Sequence, residues 1–243
     1  MPSPRLFCDA KLAPGAQLDL PENAARHAQR VLRLKAGDRV TLFNGDGHDY
    51  ACELLRVAKE GVSAKISEQL PVERESPLHV TLAQCISSGD RMDLTLQKSV
   101  ELGIAKIQPL AAERSVVKLS GERAEKRVQH WQNVVIAACE QSGRAVVPEV
   151  LPPLPLTTWL AKVQGFELKL MLNPFTDRRL HDLAKPSGPI CLLIGCEGGF
   201  APSEKTAALH SGFIDVRLGD RILRTETAGL AALAALQTLW GDF

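Results

Sequence analysis

Residues suited to chemistry are concentrated in two loops, and the first is Gly195–Phe200 (GCEGGF), which follows the apolar run ICLLI. Three glycines let the backbone approach a ligand closely, and open α/β sheets bind ligands at the carboxyl ends of their strands. The acidic side chain of Glu197 disfavours a phosphate and favours a neutral or cationic ligand. A tight turn without a ligand needs the same glycines, so this loop alone leaves both interpretations open.

The second loop is Leu218–Ala228 (LGDRILRTETA), which runs from a strand-like segment into an alanine- and leucine-rich helix. Thr225 is predicted to cap that helix, with Glu226 near the positive end of its dipole. Ile222 and Leu223 lie between two arginines at the crest of the loop. This arrangement suits a flat apolar ligand such as an adenine ring, although a plain connection into a capped helix is the alternative.

A predicted helix over Asp90–Leu102 carries a polar face that could bind RNA or simply face solvent. Basic residues on nearby connections could extend this face into a phosphate-contacting strip, although each residue alone is more typical of plain surface. The polar face comprises Arg91, Thr95, Lys98 and Glu101, and the neighbouring basic residues are Arg114, Lys118 and Arg144.

Several common activities are disfavoured because their motifs are missing. The sequence has no phosphate-binding P-loop, no HExxH zinc motif, no GxSxG elbow and no dinucleotide fingerprint.

With 29 basic and 28 acidic residues, the net charge is too small for bulk positive charge to bind nucleic acid, although a local basic patch can. Six scattered cysteines without a CxxC pair predict reduced thiols and no metal site. Because neither a signal peptide nor a membrane-spanning run is evident, we expect a cytoplasmic protein.

The 243 residues divide into a predicted β-rich domain over residues 1–70, a linker over 71–77 and an α/β domain over 78–243. Asn44–Gly47 (NGDG) is a hairpin signal within the first domain, whose short strands around the helix Glu22–Leu32 suggest a small barrel. Strands and helices alternate in the second domain, which predicts a mostly parallel sheet. Its strands are predicted at His79–Cys85, Ala105–Leu110, Glu167–Leu172, Ile190–Ile194 and Phe213–Leu218, and its remaining long helices at Glu122–Ser142 and Thr225–Trp240.

These motifs, in this order, resemble the RsmE family, the 16S ribosomal RNA uracil-N3 methyltransferases of the SPOUT superfamily. Cys196 stands where the family usually has proline, and Ser88 stands where it usually has lysine. The matching segments span nearly the whole chain: PRLF near the start, His27–Asp38, Gly45–Gly47, Gly89–Ile104, Arg114–Lys118, Glu140–Arg144, Leu192–Phe200 and Leu218–Ala228.

The resemblance implies an N-terminal PUA-like β-barrel domain joined to a C-terminal α/β domain with a deep trefoil knot. It also implies S-adenosylmethionine as methyl donor, a homodimer, and a uridine in 16S ribosomal RNA of the small subunit as the target. The residues expected to hold the donor are Leu172, Asn173, Gly195, Glu197, Gly198, Gly199, Leu218, Gly219, Ile222, Leu223, Arg224 and Thr225.

Methylation at uracil N3 requires loss of the N3 proton. A cation near O2 or O4 would lower the free energy needed for that loss, because it stabilises the resulting anion. Arg224 is the leading candidate for that role, and Glu101 or Glu226 could act as a base or orient an arginine.

Two rival functions are methylation at a ribose 2′-hydroxyl or another base, and a non-catalytic RNA-binding adaptor. The residues predicted to meet RNA phosphates are Arg5, Arg26, Arg33, Arg91, Lys98, Arg114 and Arg144.

Overall fold

The structure, a computed structural model, describes residues 3–117 and 119–243, so Lys118 of the predicted basic strip lies outside the described residues. The chain divides into two compact units. Unit 1 runs from the N-terminus to Glu75 and also includes Cys139–Val147, whereas unit 2 comprises Ser76–Ala138 and Pro148–Phe243. The first break falls inside the predicted linker. The segment Cys139–Val147, which the sequence assigned to the second domain, belongs with unit 1 by its contacts.

Unit 1 is built on a five-stranded sheet in the order β1-β3-β4-β5-β2. The β1–β3 pair is parallel and the other pairs are antiparallel. Alternate residues such as Leu42, Leu54 and Ile66 are fully buried, as expected for strands that pack one face on a core. The strands are β1 (Arg5–Phe7), β2 (Gln17–Asp19), β3 (Arg39–Phe43), β4 (His48–Ala58) and β5 (Gly61–Pro71).

The predicted features of unit 1 are present with two differences. Asn44–Gly47 connects β3 to β4, and Gly45 and Gly47 have φ of 93° and 89°, which only glycine adopts readily. The helix begins at Glu22 as predicted, but α1 (Glu22–Arg26) continues as a π-helical turn, His27–Val31. Strand β2 was not predicted, because three residues with two polar side chains give no clear alternation.

Unit 2 is a parallel sheet in the order β12-β10-β11-β6-β7-β8, with β9 also pairing β7. Its strands are β6 (Val80–Cys85), β7 (Lys106–Ala111), β8 (Glu149–Val150), β9 (Leu154–Pro155), β10 (Leu168–Leu172), β11 (Ile190–Ile194) and β12 (Ile214–Val216). Its helices are α2 (Asp90–Glu101), α3 (Gly121–Ser142), which ends in unit 1, α4 (Leu156–Leu160), α5 (Pro202–His210) and α6 (Thr225–Trp240), with a 3₁₀ turn at Leu180–Asp182.

The parallel sheet confirms the predicted α/β class and explains the uniformly apolar run ICLLI. All five residues of β11 are buried, because α2 packs on α6 and α4 packs on α5 to cover the sheet. The strand after α5 is β12, which pairs with β10 and not with β11. After β11 the chain therefore crosses to the far side of β10. Because these strands are parallel, the loops that follow β10, β11 and β12 leave the same edge of the sheet. The trefoil knot itself stays a prediction.

Candidate active site

A cleft of about 610 Å³ opens in unit 2 where β10, β11 and β12 end. Its size lies within the ordinary range for small-molecule sites. Three segments form its walls: residues 171–175, 194–200 and 216–228. All the residues expected from sequence to hold a donor line it: Leu172, Asn173, Gly195, Glu197, Gly198, Gly199, Leu218, Gly219, Ile222, Leu223, Arg224 and Thr225.

The two predicted loops are joined by a buried hydrogen-bond bridge. The Thr225 hydroxyl donates to the Gly195 carbonyl at 2.5 Å, and Gln84 Nε2 donates to Thr225 Oγ1 at 3.0 Å. Gln84 lies near the end of β6, so the central strand helps to fix both loops. The prediction that Thr225 caps α6 is wrong. Arg224 is the N-cap residue and gives no side-chain cap bond, while the Thr225 hydroxyl bridges to the other loop.

Glu197 acts as an anchor for the GCEGGF loop. Its carboxylate accepts from the Ser88 backbone N–H at 3.0 Å, the Ser88 hydroxyl at 2.9 Å and Arg91 Nη1 at 2.9 Å. Burial alone would raise the pKa of Glu197, but these hydrogen bonds outweigh it and lower that pKa to about 2. Because Arg91 neutralises the carboxylate, the interpretation that Glu197 selects a cationic ligand loses its basis.

The segment around Arg114 is held against the same loop. Arg114 Nη1 donates to the Gly198 carbonyl at 3.0 Å, and a Cβ at Gly198 would lie 3.0 Å from the Arg114 Cβ. The buried carboxylate of Glu204 accepts from the backbone N–H of Glu113 at 2.7 Å and of Ala201 at 2.9 Å. A side chain at position 198 would therefore have to displace Arg114 by a few tenths of an ångström.

The turn after β10 forms the third wall. Asn173 Nδ2 donates to Asp215 on β12 at 2.8 Å, and its Oδ1 accepts from the Phe175 backbone N–H at 3.2 Å. The amide thus ties β10 to β12 and shapes the turn that leads to the exposed ring of Phe175. Asn173 contributes to the cleft mainly by holding the turn in place.

The cleft wall is strongly basic. Among the described residues, six basic and two acidic side chains line it: Arg91, Arg114, Lys205, Arg217, Arg221, Arg224, Glu197 and Glu226. Sequence reasoning missed Lys205, Arg217 and Arg221, because a basic residue beside a strand or helix end is usually plain surface. The signal available for Arg221 was its place inside the LGDRILR motif.

The two candidate carboxylates occupy different surroundings. Glu101 is not among the lining residues, and it accepts from Lys98 Nζ at 2.8 and 3.1 Å as an i,i+3 pair. Glu226, in the first turn of α6, lines the cleft and is 14% exposed. The structure places Glu101 outside the cleft lining and pairs it with Lys98, so its geometry gives the predicted catalytic role no support, and that role stays a prediction.

Two arginines predicted to meet RNA are occupied inside unit 1. Arg5 is 11% exposed, pairs with Asp49 at 2.9 Å and donates to the Gly143 carbonyl at 2.8 Å and the Arg144 carbonyl at 3.0 Å. The Arg144 side chain is 6% exposed and forms an ion pair with Glu75. Both guanidinium groups hold the EQSGR segment on unit 1, so the geometry does not support their assignment as phosphate contacts.

The other predicted RNA contacts lie on both units. Arg26 and Arg33 are exposed on unit 1, and Arg26 donates to Asn23 at 2.7 Å. Arg91 and Arg114 line the cleft of unit 2, whereas Lys98 is paired on α2.

Two further properties concern metals and membranes. Within residues 3–117 and 119–243, no three His, Cys, Asp or Glu side chains group closely enough to hold a metal ion. The helices of that same part of the chain are all too short or too polar to cross a bilayer.

Comparison with known proteins agrees with this architecture. Residues 74–237 match the model of an RNA methyltransferase domain, and residues 20–67 match that of an RNA methyltransferase PUA domain. A ribosomal RNA small subunit methyltransferase E from Buchnera aphidicola is 32% identical over 99% of this chain and 95% of its own length. The chain belongs to the ribosomal RNA small subunit methyltransferase E family. The Bacillus subtilis member is also 32% identical, over 86% of this chain and 85% of its own.

Solved structures of this family share the whole fold. The methyltransferase E of Neisseria gonorrhoeae, bound to S-adenosyl methionine, is 47% identical, covers 99% of both chains and has a TM-score of 0.93. A methyltransferase from Legionella pneumophila, in complex with the same cofactor, is 40% identical over 100% of both chains with a TM-score of 0.97. The resemblance seen in the motifs is confirmed.

Proposed function

We propose that this chain transfers a methyl group from S-adenosylmethionine to N3 of a specific uridine in 16S ribosomal RNA. The main observation behind this proposal is that the loops Gly195–Phe200 and Leu218–Ala228 form one cleft, although they lie apart in the sequence. The hydrogen bond from Thr225 to Gly195 joins them. Two relatives of 47% and 40% identity, which match the full chain, are described with this cofactor bound.

The cleft suits that donor on two counts. The side chain of Ile222, 74% exposed, and that of Leu223 offer an apolar surface for the adenine ring. The backbone of Gly195–Gly199 can approach the donor closely, since three of these residues lack side chains. When bound, the donor supplies an electrophilic methyl group attached to a sulfonium.

Arg224 supplies the electrostatic part of the proposed mechanism. It is exposed at the start of α6, lines the cleft and has no ion pair within the described residues. Its charge is therefore available to a uracil that loses the N3 proton and develops negative charge on O2 and O4. In this mechanism the cleft contributes to the rate by aligning N3 with the methyl carbon.

Binding of RNA requires an unstacked target base, because the N3 edge of a paired uracil is hidden. Arg26 and Arg33 are exposed on unit 1 for phosphate contacts, and Arg91 and Arg114 lie at the cleft. We further propose a homodimer acting on the small ribosomal subunit in the cytoplasm. The six free and buried cysteines agree with a reducing compartment.

The test is to incubate the protein with methyl-labelled donor and small ribosomal subunits or free 16S RNA, both lacking this modification. Nucleoside mass spectrometry should locate the label on N3 of one uridine. Label on a ribose 2′-hydroxyl or another base would replace the proposed target. The absence of both label and heat on titration with S-adenosylmethionine would favour the adaptor function.

The role of Arg224 is tested by Arg224→Ala. Removing one such stabilising group typically lowers kcat by about 10²–10³-fold. We expect a loss of this size in single-turnover methylation, with donor binding retained. Arg123→Ala, an exposed arginine on α3 that does not line the cleft, is the matched control. Unchanged transfer by Arg224→Ala would remove Arg224 from the mechanism.

A further inference from the structure

Glu226 is the cleft carboxylate that the protein leaves incompletely paired. Its Oε1 lies 3.9 Å from Arg91 Nε, too far for a hydrogen bond but close enough for charge attraction. Its Oε2 is buried and finds no hydrogen-bond donor among the described residues. Glu197, the other carboxylate of the cleft, accepts three hydrogen bonds from Ser88 and Arg91.

A buried carboxylate oxygen without a donor is costly, because nothing replaces the hydrogen bonds it made to water. Such a group in a native protein calls for an explanation, and a partner supplied by a ligand is one. Under the proposed function, the ligand that brings a transferable proton into this cleft is the target uracil, which carries it on N3.

We propose that Glu226 is the general base that removes the N3 proton of the target uridine, an assignment that rests on the proposed function. The N3–H bond breaks, its proton passes to the Glu226 carboxylate and its electron pair stays on N3. That pair forms the new bond to the methyl carbon, and the electrons of the broken carbon–sulfur bond leave with the sulfur of the donor. Glu226 then releases the proton to solvent.

The surrounding charges favour this role. Arg91 on α2 lies beside the Glu226 carboxylate, with its Nε 3.9 Å from Oε1, while its Nη1 is bonded to Glu197. Arg221 and Arg224, on the loop that leads into α6, add positive charge to the same cleft. These positive charges lie where a uracil that has lost the N3 proton would carry its negative charge. Arg91 is a positioning residue, since it fixes one carboxylate and faces the other.

The experiment is single-turnover methylation at saturating donor from pH 6 to pH 9, with RNA carrying uridine or 5-fluorouridine at the target. Glu226→Gln should lower the rate about 10²–10⁴-fold at neutral pH, the usual contribution of a general base. Its rate should then rise about tenfold per pH unit, because uracil must lose the N3 proton to solvent before attack. The fluorine acidifies N3, so 5-fluorouridine should narrow the gap to wild type.

Two further variants keep the result interpretable. Glu122→Gln makes the same chemical change at a carboxylate on α3 that is ion-paired with Lys126 and does not line the cleft, and it should methylate like wild type. Glu226→Asp retains a carboxylate, so its rate should be reduced without the steep pH dependence. Calorimetric titration with S-adenosylmethionine reports whether each variant keeps a folded cleft.

Three results would overturn the assignment. The first is a Glu226→Gln rate with the pH dependence of wild type and no gain from 5-fluorouridine, as expected for a structural residue. The second is loss of donor affinity with an unchanged rate at saturation, which would make Glu226 a donor ligand. The third is wild-type protein that binds donor but places no methyl on N3; the proposed function then fails, and the base assignment with it.

Discussion

Replacing Thr225 by valine tests whether the bridge between the two cleft loops stabilises the protein. The side chain is nearly isosteric, but it loses the hydroxyl that donates to the Gly195 carbonyl and accepts from Gln84. Thr225 is 7% exposed and Gln84 is fully buried, so water has little access to either group. The substitution therefore removes both hydrogen bonds of the bridge.

The size of the effect follows from what each partner retains. Gln84 Nε2 still donates to the Cys85 carbonyl at 2.9 Å, so it is not left without a bond. The Gly195 carbonyl loses the hydroxyl donor, but Gly195 is half-buried and lines the open cleft, so water can partly replace that bond. Losing a hydrogen bond of this kind costs about 0.5–1.5 kcal/mol. We expect Thr225→Val to lower the free energy of unfolding by that amount and to weaken donor binding, since Gly195 lines the cleft.

Urea unfolding and calorimetric titration with S-adenosylmethionine measure the two effects. Thr225→Ser retains a hydroxyl and should recover most of both. Thr238→Val makes the same change on α6, where the hydroxyl bonds to the Ala234 carbonyl one turn earlier and is exposed. That control should change stability by less than about 0.5 kcal/mol. Equal stability of Thr225→Val and wild type would refute the bridge.

Three further predictions concern the same walls. The pKa of Glu197 is lowered from an ordinary 4.5 to about 2, so its ionised carboxylate stabilises the fold above pH 4.5, and this stabilisation is lost as the pH falls toward 2. The free energy of unfolding of Glu197→Gln, measured in urea, should therefore be lower than that of wild type at pH 7 and should approach it near pH 2. Gly229→Ala should stabilise α6 by about 0.5–1 kcal/mol, because its Cβ would meet Gln84 and Ile194 at an ordinary 3.6 Å; a lower melting temperature would contradict this. Cys196 is 4% exposed at the cleft, so its alkylation requires opening of the GCEGGF loop; S-adenosylmethionine should slow this alkylation as followed by mass spectrometry, and equal rates with and without the donor would argue against donor binding beside it.

Periodicity and turn chemistry were enough to predict the elements that build the cleft. The strand Ile190–Ile194 and the helix Thr225–Trp240 were predicted with the bounds that the structure has. A fully apolar run flanked by glycine is distinctive, and so is a long alanine- and leucine-rich segment after a polar loop. The short β8 and β9 were missed because two-residue strands carry no period.

Side-chain partners could not be predicted, since they depend on which loops meet in space. The motif around Glu197, GCEGGF, contains no basic residue, and its partner Arg91 lies 106 positions away in the sequence. Arg5 and Arg144 resembled surface charges because the sequence does not show that Asp49 and Glu75 lie beside them. Parallel strands bring distant segments together, and the order of strands in a sheet is not encoded in local pattern.

The most direct test of the whole account is a crystal structure of this protein with S-adenosylmethionine bound. We expect the donor between Gly195 and Arg224, with its adenine against Ile222 and Leu223 and its methyl group open to a base beside Glu226. A donor bound outside this cleft would contradict the account, and so would a cleft that stays empty in crystals grown with the cofactor.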